Sequence, residues 1–99
     1  MQSCSCFEDN IAYIGNNIVM GVDNPQPSRS ACQKSCKENP DCEFWTWGKS
    51  GTSADRCYLK DACDNITVTQ DDTYVSGSKD CSLPEEKGNK IGSSVSNYF

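Results

Sequence analysis

Histidine is absent from the 99-residue sequence. Its absence removes the side chain most often used as a general base near neutral pH and the commonest metal ligand. Long apolar runs are missing as well. Hydrophobic residues make up 35% of the chain, and no stretch approaches the ~20 consecutive apolar residues that a membrane-spanning helix needs. A core of that size contributes only a few kcal/mol unaided. There is also no concentration of positive charge. Lys and Arg number 9 against 14 Asp and Glu, and Lys34, Lys37, Lys49, Lys60, Lys79, Lys87 and Lys90 are scattered among acids. With a formal net charge of -5, the chain lacks the basic surface that nucleic acid or heparin requires.

Cysteine is what the sequence has in abundance. Cys4, Cys6, Cys32, Cys36, Cys42, Cys57, Cys63 and Cys81 form an even set in a short chain, the signature of a disulfide framework in an oxidising compartment. Zinc is the competing use of eight thiolates. Zinc sites, however, recruit C-x-x-C pairs or a following histidine pair, and the close spacings here are C-x-C, C-x3-C and C-x5-C. Disulfides closing loops of some tens of residues are worth roughly 3 to 4 kcal/mol each in the chain-entropy model, enough to offset the small core. No cofactor or metal is implied. Spacing alone leaves the pairing open.

The coarse elements follow from local patterning. Residues 11–20 are apolar and β-branched around Gly15-Asn16-Asn17, which predicts strand, kink, strand. Pro25 and Pro27 mark a loop, and Ser28 or Ser30 can cap a helix reaching about Lys37, with Ser30 and Gln33 spaced as a capping box. Cys32 and Cys36 then share one helix face. Residues 42–47 read as an aromatic strand with Trp45 and Trp47 on one side and Phe44 and Thr46 on the other. Residues 48–56 suit an exposed connection, 57–60 another strand, 66–69 a short alternating stretch and 74–77 a last strand. From residue 82 the composition turns to Pro, Glu, Lys, Gly, Asn and Ser, as expected for a polar linker or disordered tail after a domain spanning 1–81. Met1 reads as an added start, and the chain as one domain of a longer secreted or surface protein.

The order Cys6, Tyr13-x-Gly15-x-Asn17-Ile18, Cys32-Gln33-x-x-Cys36, Pro40-x-Cys42-x-x-Trp45-Thr46-Trp47, Cys57-x-Leu59-Lys60 and Val75-Ser76-Gly77 ending at Cys81 resembles the PAN/apple domain over residues 6–81. The resemblance implies a small disulfide-rich α+β fold, about five antiparallel strands packed around one helix. It further implies the pairs Cys32 with Cys57, Cys36 with Cys42, and Cys6 with Cys81. Cys4 and Cys63 depart from the six-cysteine pattern. A bridge between them is the simplest outcome, while Cys4 with Cys81 and Cys6 with Cys63 is the alternative that the C-x-C spacing permits.

Catalysis is not expected. The serines show no triad partner, and Asp71-Asp72 and Glu85-Glu86 read as solvated turn and linker charges. The family resemblance implies instead an extracellular adhesion module that binds a host-cell receptor or partner protein, with the acidic composition and extra cysteine pair similar to apple domains of apicomplexan microneme adhesins. Localisation is then secreted, with a secretory organelle (the microneme) as the store before release. A galactose-type lectin is a second reading, since some members of the family bind cell-surface glycans, and a structural spacer in a repeat array is a third. Neither nucleic acid nor membrane insertion is expected. Candidate ligand-binding residues are Trp47, Arg56, Tyr58, Lys60 and Tyr74, each also readable as a sheet or core residue, with the loop 48–56 as the best carrier outside the core. For Lys60 the competing reading is a stem packed on the sheet with its ammonium on a carboxylate. Asn65-Ile66-Thr67 fits the N-glycosylation sequon.

Overall fold

The structure, a computed structural model, describes residues 4–64 and 66–81. The expected tail from residue 82, Met1 and the sequon residue Asn65 lie outside the described residues. Five strands, β1 (Phe7–Ile14), β2 (Asn17–Val19), β3 (Phe44–Gly48), β4 (Cys57–Lys60) and β5 (Thr67–Ser78), form one antiparallel sheet in the order β1-β5-β3-β4-β2. One α-helix among the described residues, α1 (Arg29–Lys37), packs on one face.

Alternation in β3 decides what each face buries. Trp45 aligns with Leu59 on β4 and Gly77 on β5, and Trp47 with Cys57 and Val75. These side chains face α1 and surround Cys32, Cys36 and Cys42, giving a core in which Trp45, Val75 and the four cysteines are fully buried. Gly77 is glycine for a packing reason: a Cβ there would meet the Cys6 carbonyl at 2.6 Å and the Trp45 ring at 2.9 Å. Trp45 Nε1 donates to the Ser78 carbonyl at 3.2 Å, so the indole is buried without an unpaired donor.

The helix starts where Ser28 Oγ accepts the Ala31 N–H at 3.1 Å, making Ser28 the N-cap. Ser30 and Gln33 do not form the expected capping box. Gln33 is buried, and its amide reaches across to the carbonyls of Ser78 and Cys81, holding the end of β5 against the helix. Disulfides Cys32–Cys57 and Cys36–Cys42 clamp α1 to β4 and to the entry of β3. Cys6–Cys81 joins the residue before β1 to the segment after β5, and Cys4–Cys63 ties the N-terminal segment to the β4–β5 loop.

Two strands extend further than local patterning predicts. β1 begins at Phe7 through the polar stretch Glu8-Asp9-Asn10, and β5 runs unbroken through Asp71-Asp72, where two separate strands were expected. Their pairing explains both. Phe7–Asp9 align with Val75–Gly77, and then the register jumps so that Ile11–Ile14 align with Thr67–Gln70. Asn10 sits at the jump with φ 63°, a left-handed conformation that asparagine tolerates well. Lys49 Nζ secures it, donating to Asp9 Oδ1 at 2.8 Å and Asn10 Oδ1 at 2.5 Å, and this contact holds the Asp9 carboxyl below its ordinary pKa. Opposite, Asp71 Oδ1 accepts from the Thr73 N–H and hydroxyl. Polar residues therefore shape a bulge inside continuous strands.

Candidate functional site

The bulge brings the second half of β1 to the sheet face opposite the helix. Tyr13 N–H donates to Thr46 Oγ1 at 3.2 Å, Thr46 and Ser76 hydroxyls lie 2.7 Å apart, and Ser76 Oγ donates to the Ile11 carbonyl at 2.7 Å. These groups are buried and satisfy one another, so the network fixes β1 over β3 and β5. Tyr13 is buried with its hydroxyl 2.5 Å from Glu8 Oε1, and burial, followed by that contact with the acid, pushes its pKa up. Its ring meets Phe44 edge-on, with centroids 6.3 Å apart.

Between this strand and β4 lies a cleft of about 190 Å³ whose lining includes Tyr13, Asn17, Thr46, Tyr58, Lys60 and Tyr74. Its mouth is built by the β1–β2 turn. Gly15 has φ 115°, which glycine adopts without a Cβ clash, and Asn16 follows at φ 55°. Asn16 Nδ2 donates to the carbonyls of Ala62 and Asp64, so the turn is fastened to the same loop that Cys63 anchors. The opposite wall is held by Tyr74, whose hydroxyl lies 2.6 Å from Ser53 Oγ in the 48–56 loop.

Lys60 is the chemical centre of the cleft. Only 2% of it is exposed, yet its ammonium meets no carboxylate among the described residues. It donates to the Gly15 carbonyl at 3.1 Å and to Asn17 Oδ1 at 2.5 Å, with the Tyr58 ring centroid 5.7 Å from Nζ. Burial lowers its pKa to about 8. The expected carboxylate partner is thus replaced by two neutral oxygens and an aromatic ring.

Of the residues singled out in the sequence, the structure brings Tyr58, Lys60 and Tyr74 into this one cleft. Trp47 lies on the helix side, half-buried against the core, with Nε1 donating to the Gln26 carbonyl at 2.9 Å. Arg56 is half-buried beside Pro25, to which its backbone bridges, and it does not line the cleft. Tyr13, Asn17 and Thr46 were not singled out as ligand residues. Side-chain parity was the available signal for Thr46, which shares its sheet face with Tyr58 and Lys60. A wider hollow beside the end of α1 includes Asn24, Glu38 and Asn39, but its polar groups serve the fold: Asn24 Nδ2 binds Ser35 Oγ and the Cys57 carbonyl, and Asn39 Oδ1 accepts the Asp41 N–H.

One α-helix clamped by two disulfides to a five-stranded antiparallel sheet, with two more bridges holding the N-terminal segment to residue 81 and to the β4–β5 loop, defines a small disulfide-rich module of α+β class, the kind that suits an oxidising, extracellular setting. The model of the PAN domain family matches residues 11–60, and the chain belongs to that family. Among solved structures it is similar to the solution structure of a PAN module from Eimeria tenella, at 26% identity over 85% of this chain and 90% of that one, with a TM-score of 0.56. No curated protein matches it. PAN domains are interaction modules for proteins or carbohydrates, and among the described residues no helix is long and apolar enough to cross a membrane.

Proposed function

We propose that this domain is an adhesion module of a multi-domain secreted adhesin, binding a host-cell receptor or partner protein through the Lys60 cleft. The observation that carries the reading is a buried ammonium that meets no carboxylate among the described residues, opening into a tyrosine-walled cleft on the face opposite α1. A fold that keeps such a group carries its desolvation cost at rest and recovers it when a complementary ligand enters. Rigid walls support the same use, since the cleft is fixed by a buried hydroxyl network, a disulfide-anchored turn and the Tyr74–Ser53 contact.

Glycan binding of galactose type is the second reading, favoured by the aromatic walls Tyr58 and Tyr74, which suit the apolar face of a sugar ring. Capture of host-surface proteins on the immobilised domain, run beside a glycan array, separates the two. The protein reading expects capture that falls at least tenfold in a folded Lys60→Met variant and no saturable glycan signal. Saturable galactoside binding lost in that variant establishes the lectin instead, and protein capture unaffected by Lys60→Met contradicts the assignment of the cleft.

A further inference from the structure

The Lys60 cleft, taken as the binding site proposed above, is specific about the chemistry it admits. A lysine ammonium has three N–H donors, and two are used, on Gly15 O and Asn17 Oδ1. The third has no acceptor among the described residues. Among the described residues the groups that Nζ meets are neutral: the Gly15 carbonyl from the β1–β2 turn, Asn17 Oδ1 from β2 and the Tyr58 ring from β4, and the cleft lining adds Thr46 from β3 and Tyr74 from β5. Among the described residues the site therefore has one unit of positive charge, one spare donor and no anion. A cleft of about 190 Å³ admits a carboxylate and the few carbons that carry it.

The surroundings say how such a carboxylate is presented. Ile14 lines the cleft and is 53% exposed, and Ile18 in β2 and Met20 just beyond it are exposed apolar residues as well. β2 is also an outermost strand of the sheet, so its outer edge offers backbone groups to an extended segment. An apolar rim beside an open strand edge fits a peptide better than a polyhydroxylated ligand.

We infer that the cleft recognises an aspartate or glutamate side chain of an extended partner segment, the carboxylate accepting the third N–H of Lys60 while neighbouring apolar residues lie on Ile14, Ile18 and Met20. The overall charge of -5 slows the approach of acidic partners, so recognition rests on the local pair once water is excluded and not on long-range steering.

The probe is N-acetyl-glutamate N-methylamide, titrated into the disulfide-intact, 15N-labelled domain beside its glutamine counterpart, N-acetylneuraminate and methyl β-galactoside. Saturable amide shifts at Gly15, Asn17, Tyr58 and Lys60 with the glutamate probe, at least about tenfold weaker with the glutamine probe and absent in Lys60→Met, are expected from a charge-assisted pair. Because Lys60→Met removes a buried group, Ile14→Ser serves as the second variant; it leaves the ammonium in place and is expected to weaken only peptides that carry an apolar neighbour beside the acid. Equal response to glutamate and glutamine probes overturns the carboxylate assignment. A response to galactoside alone or to N-acetylneuraminate alone keeps the cleft as a ligand site but overturns the acidic peptide. No response to any probe overturns the acidic-peptide inference and the cleft reading together.

Discussion

At the scale of single residues, Lys60 carries the most consequence. Its folded-state pKa of about 8 is depressed from 10.5, so between these values the unfolded chain binds more protons than the folded one. Stability accordingly rises with pH across that window, by roughly 3 kcal/mol if the whole shift is realised. Above pH 10 Tyr13 opposes the trend, because its raised pKa keeps a proton that the unfolded chain releases. Urea unfolding at pH 7, 8, 9 and 10 is expected to show the rise in the native domain and its disappearance in Lys60→Met; a flat native profile contradicts the buried, uncompensated ammonium. Packing gives a second residue-scale expectation. Gly77→Ala places a methyl against the Cys6 carbonyl and the Trp45 ring, and a loss of about 1–3 kcal/mol is expected in the same measurement. The residue types of the cleft were partly readable in sequence. Tyr58, Lys60 and Tyr74 stood out, whereas Tyr13, Asn17 and Thr46 join them only through long-range pairing. The two that fell elsewhere, Trp47 and Arg56, did so because strand parity sends Trp47 under the helix and the Pro25 bridge holds Arg56 at the sheet margin.

At the scale of elements, α1 and the β1–β5 pair teach different lessons. The helix was legible: a serine cap, two cysteines one turn apart and a stop near Asn39-Pro40 are local signals. Its choice of cap was not, because Ser28 and Ser30 are equally suited in sequence and Gln33 is drawn to Ser78 and Cys81 by tertiary contact. Ser28→Ala is expected to cost about 1 kcal/mol, and Gln33→Ala to cost a similar amount while raising amide exchange at the end of β5. Hydrogen exchange at Gly77 and Ser78 reads the second effect, and unchanged protection contradicts the tie. The length of β5 escaped because Asp71-Asp72 reads as a turn, and that of β1 because Glu8-Asp9-Asn10 lacks the apolar, β-branched patterning that begins at Ile11. In the fold they flank a bulge, with Lys49 on one side and the Thr73 turn on the other neutralising or capping the carboxylates. Thr46→Val tests that architecture. It leaves the Tyr13 N–H without its acceptor and removes one of the two contacts of the Ser76 hydroxyl, and is expected to cost about 1–3 kcal/mol.

At the scale of the whole molecule, the eight cysteines and the missing histidine set the outline before any element is placed. Six cysteines mark the family frame: helix to hairpin by Cys32–Cys57 and Cys36–Cys42, and end to end by Cys6–Cys81. Cys4–Cys63 adds a bridge beside the cleft, fastening the loop to which Asn16 also binds. Peptide mapping without reduction is expected to recover these four pairs. The double variant Cys4→Ser with Cys63→Ser is expected to keep the fold while loosening the β1–β2 turn, whereas loss of Cys32–Cys57 abolishes the core it crosses.

Among the described residues the Lys60 ammonium is buried with no acidic partner, in the cleft proposed above as the binding site. NMR titration of the Lys60 side chain in the disulfide-intact domain, followed through its Cε resonance, measures that directly. A midpoint near 8 is expected. A midpoint at the ordinary lysine value near 10.5 means that the ammonium is solvated or already paired, and rules out the buried, unpaired cation.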